Sequence, residues 1–250
     1  MKHIIYACLV ITAFLPKLNG AEETLSRHFR LTDEDKRIIE IKKLDDQSAI
    51  AEFAKNDPSR SVSSTVLDLI NDQTLLADIE KNRIHIIVRR RATMLLEDQS
   101  ILEVIAKNDA SHEVRAAAAF LITNQVFLAG IANSEKQYQV RATAVERLEN
   151  KALLADFAKN DANERVRLAA ALKLNEQAFF EDIIQNSTNR FVRQKAIGGI
   201  TNKDFLAQLA ENEQNEFVRQ SAEERYDVLN KNEQAKEAMP ESTETEKSKP

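Results

Sequence analysis

Apolar residues return along this chain at two nested spacings: three and four residues inside short stretches, and 26 residues between stretches. The short spacing is that of one face of an α-helix. Leu102 and Ile105 mark one stripe, and Val114, Ala118, Leu121 and Ile122 mark the next. The long spacing aligns Val62, Val88, Val114, Val140, Val166, Val192 and Val218 in one column. Four residues after each Val stands Ala92, Ala118, Ala144, Ala170, Ala196 or Ala222, with Val66 in the first copy. A small helix pair cannot bury its stripe alone, so a register held through seven copies predicts an all-α fold, an α-solenoid of seven stacked helix pairs. The Ala column is where the helices are expected to approach most closely, with axes roughly 8–10 Å apart.

Polar residues punctuate the same period. Asp46, Asp72, Asp98, Asn124, Asn150, Glu176 and Asn202 stand before the first helix of each copy, and Asp or Asn there accepts from the free N–H groups of a helix start. Asp98 thus predicts a helix from Gln99 to about Lys107, and Asp109 is expected to cap a second that runs to Ile122. Pro58, after Asp57, suits a first helical position because its missing N–H would have been unpaired there. Upstream, Thr32 before Asp33, Glu34 and Asp35 predicts a capped helix carrying Ile38, Ile39, Ile41 and Leu44. Its Arg37 lies one period before Ser63, so this helix is expected to cover the open side of the first pair. Gly198 and Gly199 predict a bend or a frayed end in the sixth copy's second helix.

The residue after the column Val is Arg89, Arg115, Arg141, Arg167, Arg193 or Arg219, and only Ser63 breaks the series. The phrase Asn-Asp-x-x-x-x-Val-Arg-x-x-Ala, followed by a large aliphatic, resembles the second-helix signature of HEAT-like repeats over residues 33 to about 226. At 26 residues the unit is shorter than the usual HEAT repeat and nearer the short bacterial variety. The resemblance implies a ladder between loop acids and helix arginines, with Asp57, Asp109, Glu135, Asp161 and Glu213 as the acids and Arg83 and Ser187 departing. Read as exposed pairs, its rungs set register and contribute only about 0–1 kcal/mol each. The resemblance also implies that second helices line a concave face. On a helical wheel with Val114 at 0°, the residues two and six after each Val fall at roughly 200° and 240°, away from the buried side. Ala116, Phe120, Leu168 and Leu172 are the apolar members of those columns in copies three and five, and so the candidate partner-binding residues. The alternative is that these side chains pack on neighbouring copies.

Composition narrows the function. The chain has 43% hydrophobic residues, no Trp and 6% aromatics, which suits thin layers of small side chains and disfavours an aromatic-lined cavity. Met1-Lys2-His3, the apolar run from Ile4 to Leu15 and the small residues up to Gly20-Ala21 read as a secretory signal peptide, too short for the roughly 20 residues of a membrane span. Export, to a periplasm or to the medium, is therefore expected. The expected organisation is a signal peptide at 1–21, an N-terminal segment and capping helix at 22–44, repeats at 45–226 and a disordered polar tail at 227–250. Cys8, the only cysteine, falls inside the signal. Losing residues 1–21 removes Lys2 and Lys17 and leaves 33 basic against 40 acidic residues, which argues against nucleic acid as a general partner.

The chemical inventory is poor. His28, His85 and His112 are the histidines beyond the signal, and no glycine-rich phosphate loop occurs. His112-Glu113 invites comparison with deoxyhypusine hydroxylase, an iron-binding HEAT-like enzyme, but that enzyme uses several His-Glu pairs and this chain has one. No metal and no cofactor are expected. Arg89, Arg90 and Arg91, with Arg83 and His85, form a basic cluster whose members point about 100° apart and so make no single patch. Asn186-Ser187-Thr188 matches a glycosylation acceptor, relevant only in a eukaryotic source. The reading is an exported, non-enzymatic scaffold that binds a protein or peptide. The alternative is an enzyme resembling the HEAT-like phycobilin lyases, which the export signal disfavours.

Overall fold

The period of 26 residues leaves about ten residues for each helix, and ten-residue helices are stable only when their stripes are covered by neighbours. The structure, a computed structural model, describes residues 32–82 and 85–237. The expected signal peptide, Arg83 and the last residues of the expected tail lie outside the described residues. Among those described there are fifteen α-helices and no strand, packed consecutively. They fall into two units, divided in the sequence between Asn124 and Gln125.

The first unit holds α1 (Asp33–Ile41), α2 (Gln47–Asn56), α3 (Arg60–Val66) with a 3-10 turn at Leu67–Leu69, α4 (Gln73–Asn82), α5 (Ile86–Met94), α6 (Gln99–Asn108) and α7 (His112–Leu121). Here α2 packs on α3, α4 on α5 and α6 on α7, while α1, α3, α5 and α7 each pack on the next. The second unit holds α8 (Gln125–Ser134), α9 (Tyr138–Arg147), α10 (Lys151–Asn160), α11 (Glu164–Leu174), α12 (Gln177–Asn186), α13 (Arg190–Ile197), α14 (Lys203–Asn212) and α15 (Glu216–Glu237). Its pairs are α8 with α9, α10 with α11, α12 with α13 and α14 with α15, and α9, α11, α13 and α15 form its spine. The Val and Ala columns lie on these spines and are buried throughout, Val192 being the most exposed at 4%. Small Ala side chains are what let neighbouring spine helices come together.

The polar columns place the ends. Asp46, Asp72, Asp98, Asn150 and Asn202 accept from the first amides of α2, α4, α6, α10 and α14, as their spacing predicts. Thr32 and Asp35 form a reciprocal capping box on α1. Asp109 corrects the expectation made for it. It is the C-cap of α6, and Ser111 caps α7, accepting from Glu113 N at 3.3 Å. Asp57 and Asp161 stand likewise at the C-caps of α2 and α10, and each of the three accepts the amide two residues on, at 2.7–2.8 Å. Pro58 accordingly precedes the Ser59 cap and is not the first helical residue.

A further column tethers the far end of five pairs. Gln47, Gln73, Gln99 and Gln125 each donate to a carbonyl 22 residues on and accept from an amide 24 residues on. Gln177 accepts from Thr201 N in the same way. These amides occupy the orphan carbonyl and the turn at the C-terminal ends of α3, α5, α7 and α9, and the turn alone at α13.

Of two local expectations, the early helix end at the glycine pair is met and the tail is revised. Gly198 ends α13, but Gly199 fits under a ring: a Cβ there would lie 2.3 Å from Phe180 Cε2. The disordered tail expected from residue 227 begins instead as helix, because Tyr226 and Leu229 extend the stripe of Val218 and Ala222 and pack against the same core.

Candidate functional site

The ladder is built at the loops between paired helices. Arg37 Nε and Nη2 reach Asp57 Oδ2 and Oδ1 at 3.0 and 3.2 Å, and Arg89 grips Asp109 in the same fork at 3.0 and 3.1 Å. Arg141 and Asp161 repeat it at 3.0 and 2.9 Å, and Arg193 holds Glu213. Arg115, Arg141, Arg167 and Arg219 each donate to the backbone carbonyl six residues earlier, of Asp109, Glu135, Asp161 and Glu213. Where the acid column reads Ser187, its hydroxyl donates to Glu164. The rungs are not the exposed pairs expected from sequence: Arg141 and Asp161 side chains keep 14% and 7% of their surface. Asp161 raises the pKa of the Arg141 guanidinium, and Arg193 holds the Glu213 carboxyl below its ordinary range. Every feature of the ladder joins the chain to itself, and none points to a ligand.

Beside one rung lies a residue the sequence reading passed over. Glu80 of α4 is 8% exposed, and its carboxyl is pushed up to about 7, first by burial and then by the charge and hydrogen bond of Asp109, with Arg89 opposing. The basic cluster separates as expected, Arg89 to Asp109 and Arg91 to Asp68, while Arg90 is exposed.

Four contact residues were expected, and they fare differently. Phe120, in the first unit, is 46% exposed and Ala116 half-buried. In the second unit Leu172 is 49% exposed, but Leu168 is 6% exposed and belongs to the core around Phe180 and Val192, so it is not a surface anchor. A wheel drawn for one helix misses this, because α11 is covered by both α9 and α13.

Those three spine helices carry a cleft of about 470 Å³. Ala142 and Glu146, two and six after Val140, line it together with Leu168 and Leu172. The first turns of the helices add Tyr138, Arg165 and Phe191. The Arg165 guanidinium lies 5.7 Å from the centroid of the Tyr138 ring and donates to its hydroxyl at 3.4 Å. Arg190 stacks 4.8 Å over Phe191, which meets Phe217 edge to face at 5.7 Å. Sequence reasoning missed this aromatic and arginine row, although Tyr138, Arg165, Phe191 and Phe217 all fall one or two residues before the column Val. A smaller hollow of about 340 Å³ lies over α12 and α14 beside the Arg193–Glu213 rung.

Among the described residues no three His, Cys, Asp or Glu side chains are grouped to hold a metal ion, and no helix is long and apolar enough to cross a membrane. Compared with known proteins, the chain matches no family model, no curated protein and no solved structure.

Proposed function

We propose that this chain is a non-enzymatic interaction scaffold, a HEAT-like α-solenoid of seven helix pairs with α1 as its N-terminal cap, which binds a protein or peptide on its spine helices. The observation that carries the reading is the cleft over α9, α11 and α13, where side chains from three successive spine helices leave Leu172 half-exposed. Extended repeat surfaces bind through such rows without reactive groups. The Val, Ala, Arg and Gln columns are accounted for by packing and tethering, which leaves the residues two and six after each Val to vary with a ligand. The apolar start of the sequence supports export to an envelope compartment, where N-terminal sequencing from the native host would find Met1 removed.

The test is capture from an envelope extract, with the retained protein identified and the eluate scanned for absorbance. Leu172→Ser is expected to abolish capture at unchanged helicity, and Phe120→Ser, tested separately, reports on the first unit. A sharp fall in melting temperature for Leu172→Ser would make that residue core and sink the reading. A stoichiometric chromophore would replace it with the lyase reading.

A further inference from the structure

We infer that the cleft over α9, α11 and α13 receives an acidic peptide segment carrying one large apolar side chain, an assignment that rests on the interaction reading above.

Three observations converge on that chemistry. The first is apolar room. Leu172 and Phe191, 49% and 55% exposed, stand above the buried Leu168, and Ala142 and Ala169 leave space between them. Exposed aliphatic and aromatic side chains around small neighbours form a seat for one anchor residue.

The second is charge. The chain as a whole is acidic, at net −5, yet the cleft's cations are Arg165 and Lys195 and its one acid is Glu146. Neither cation, nor Arg190 beside Phe191, has a carboxylate partner among the described residues. The contrast with the ladder is sharp, because there Asp57, Asp109, Asp161 and Glu213 are each gripped by a guanidinium from the preceding copy. Arg165 and Arg190 are instead laid on aromatic rings, which holds the planar groups in place while leaving N–H donors for an incoming carboxylate.

The third is an unmet acceptor. Gln139 lines the cleft, and its Oε1 is buried with no donor among the described residues. Buried polar atoms are nearly always paired, so an acceptor left alone in a cleft wall calls for a donor from the occupant. A peptide backbone N–H supplies one once the Gln139 side chain turns its amide toward the cleft mouth. A nucleic-acid strand brings one phosphate with every nucleotide, so a strand spanning the three helices brings several, which two lining cations beside Glu146 do not neutralise.

The experiment is a random dodecapeptide display selection on the full chain, followed by fluorescence anisotropy with the enriched peptides. Peptides pairing one Leu, Ile, Met or Phe with two or more Asp or Glu within about four residues are expected. Their affinity should fall about tenfold or more with Leu172→Ser, and as much with Arg165→Glu combined with Lys195→Glu. The charge-reversed protein should recover binding to the same peptides with Glu changed to Lys. Gln139→Met should weaken binding about fivefold while raising the melting temperature, an opposition that a merely structural residue would not show. If Leu172→Ser fails to fold, the two exposed charge reversals decide the matter alone. Enriched peptides that lack acids, or that ignore these substitutions, overturn the cleft assignment and leave the interaction reading standing. No enrichment over an unrelated helical protein overturns both. Displacement of the peptides by a 20-nucleotide oligothymidylate, sensitive to the same substitutions, would make the occupant a nucleic acid and overturn the peptide.

Discussion

Glu80 occupies a column that holds Ala at 54, 106, 132, 158 and 210. Its carboxyl titrates at about 7 in the folded chain against an ordinary 4.5, so the folded state keeps a proton that the unfolded chain gives up. That stabilisation is complete below pH 4.5, declines as pH rises to about 7 and is gone above it. The window is worth on the order of 3 kcal/mol. Glu80→Gln, which keeps a donor and cannot ionise, should melt higher than the parent at pH 8 and level with it at pH 4.5, by calorimetry. A second pair of residues departs from the grid together. Phe180 stands in a column otherwise filled by Ile50, Leu76, Leu102, Leu128, Leu154 and Leu206, and Gly199 in one filled by Leu, Arg or Lys. The larger ring occupies the volume that the glycine leaves. Gly199→Ala should cost about 1–3 kcal/mol by overpacking, and adding Phe180→Leu should recover most of it, a coupling that a double-mutant cycle in urea measures. Periodicity marks both sites as departures, but neither the burial of Glu80 nor the contact of Phe180 with Gly199 follows from spacing alone.

The helices themselves were largely legible. Val, Ala and Asp/Asn columns gave the pairs and most first-helix starts, because those residues do the same work in every copy. The second starts were set two residues early, since Asp109 closes one helix and receives an arginine, a use that composition does not separate from capping. A wheel puts Leu168 on the surface because it holds one helix, whereas three pack there. The Gln column carries no signal in the sequence beyond its 26-residue spacing, being neither apolar nor a common cap. Its importance is testable. Gln99 Nε2 donates to Leu121 O at 3.3 Å and its Oε1 accepts from Thr123 N at 2.9 Å. Gln99→Ala should cost about 1–2 kcal/mol and speed amide exchange at Thr123, while Gln99→Glu, which keeps the acceptor, should leave that amide protected.

At the scale of the whole chain, stability should behave as a sum over neighbouring helices, because packing runs from each spine helix to the next within either unit. Residues 32–124 and 125–237, produced separately, should each give a helical circular dichroism spectrum and a cooperative melt of their own. A fragment that stays unfolded would refute this. The spacing of the tethers has another consequence. Rungs join residues 20 apart, and the clamps of Gln47, Gln73, Gln99 and Gln125 join residues 22 and 24 apart. Among the described residues no such tether waits for distant sequence, so contact order is low and every loop closure carries nearly the same entropy. At about 5–20 residues per second, a ribosome delivers the far partner of each tether within a few seconds of the near one, long after a helix can form. Within either unit the chain is thus suited to fold from its N-terminal side as it emerges, and with the export proposed above that emergence is from the membrane channel, each finished pair offering the next a surface to settle on.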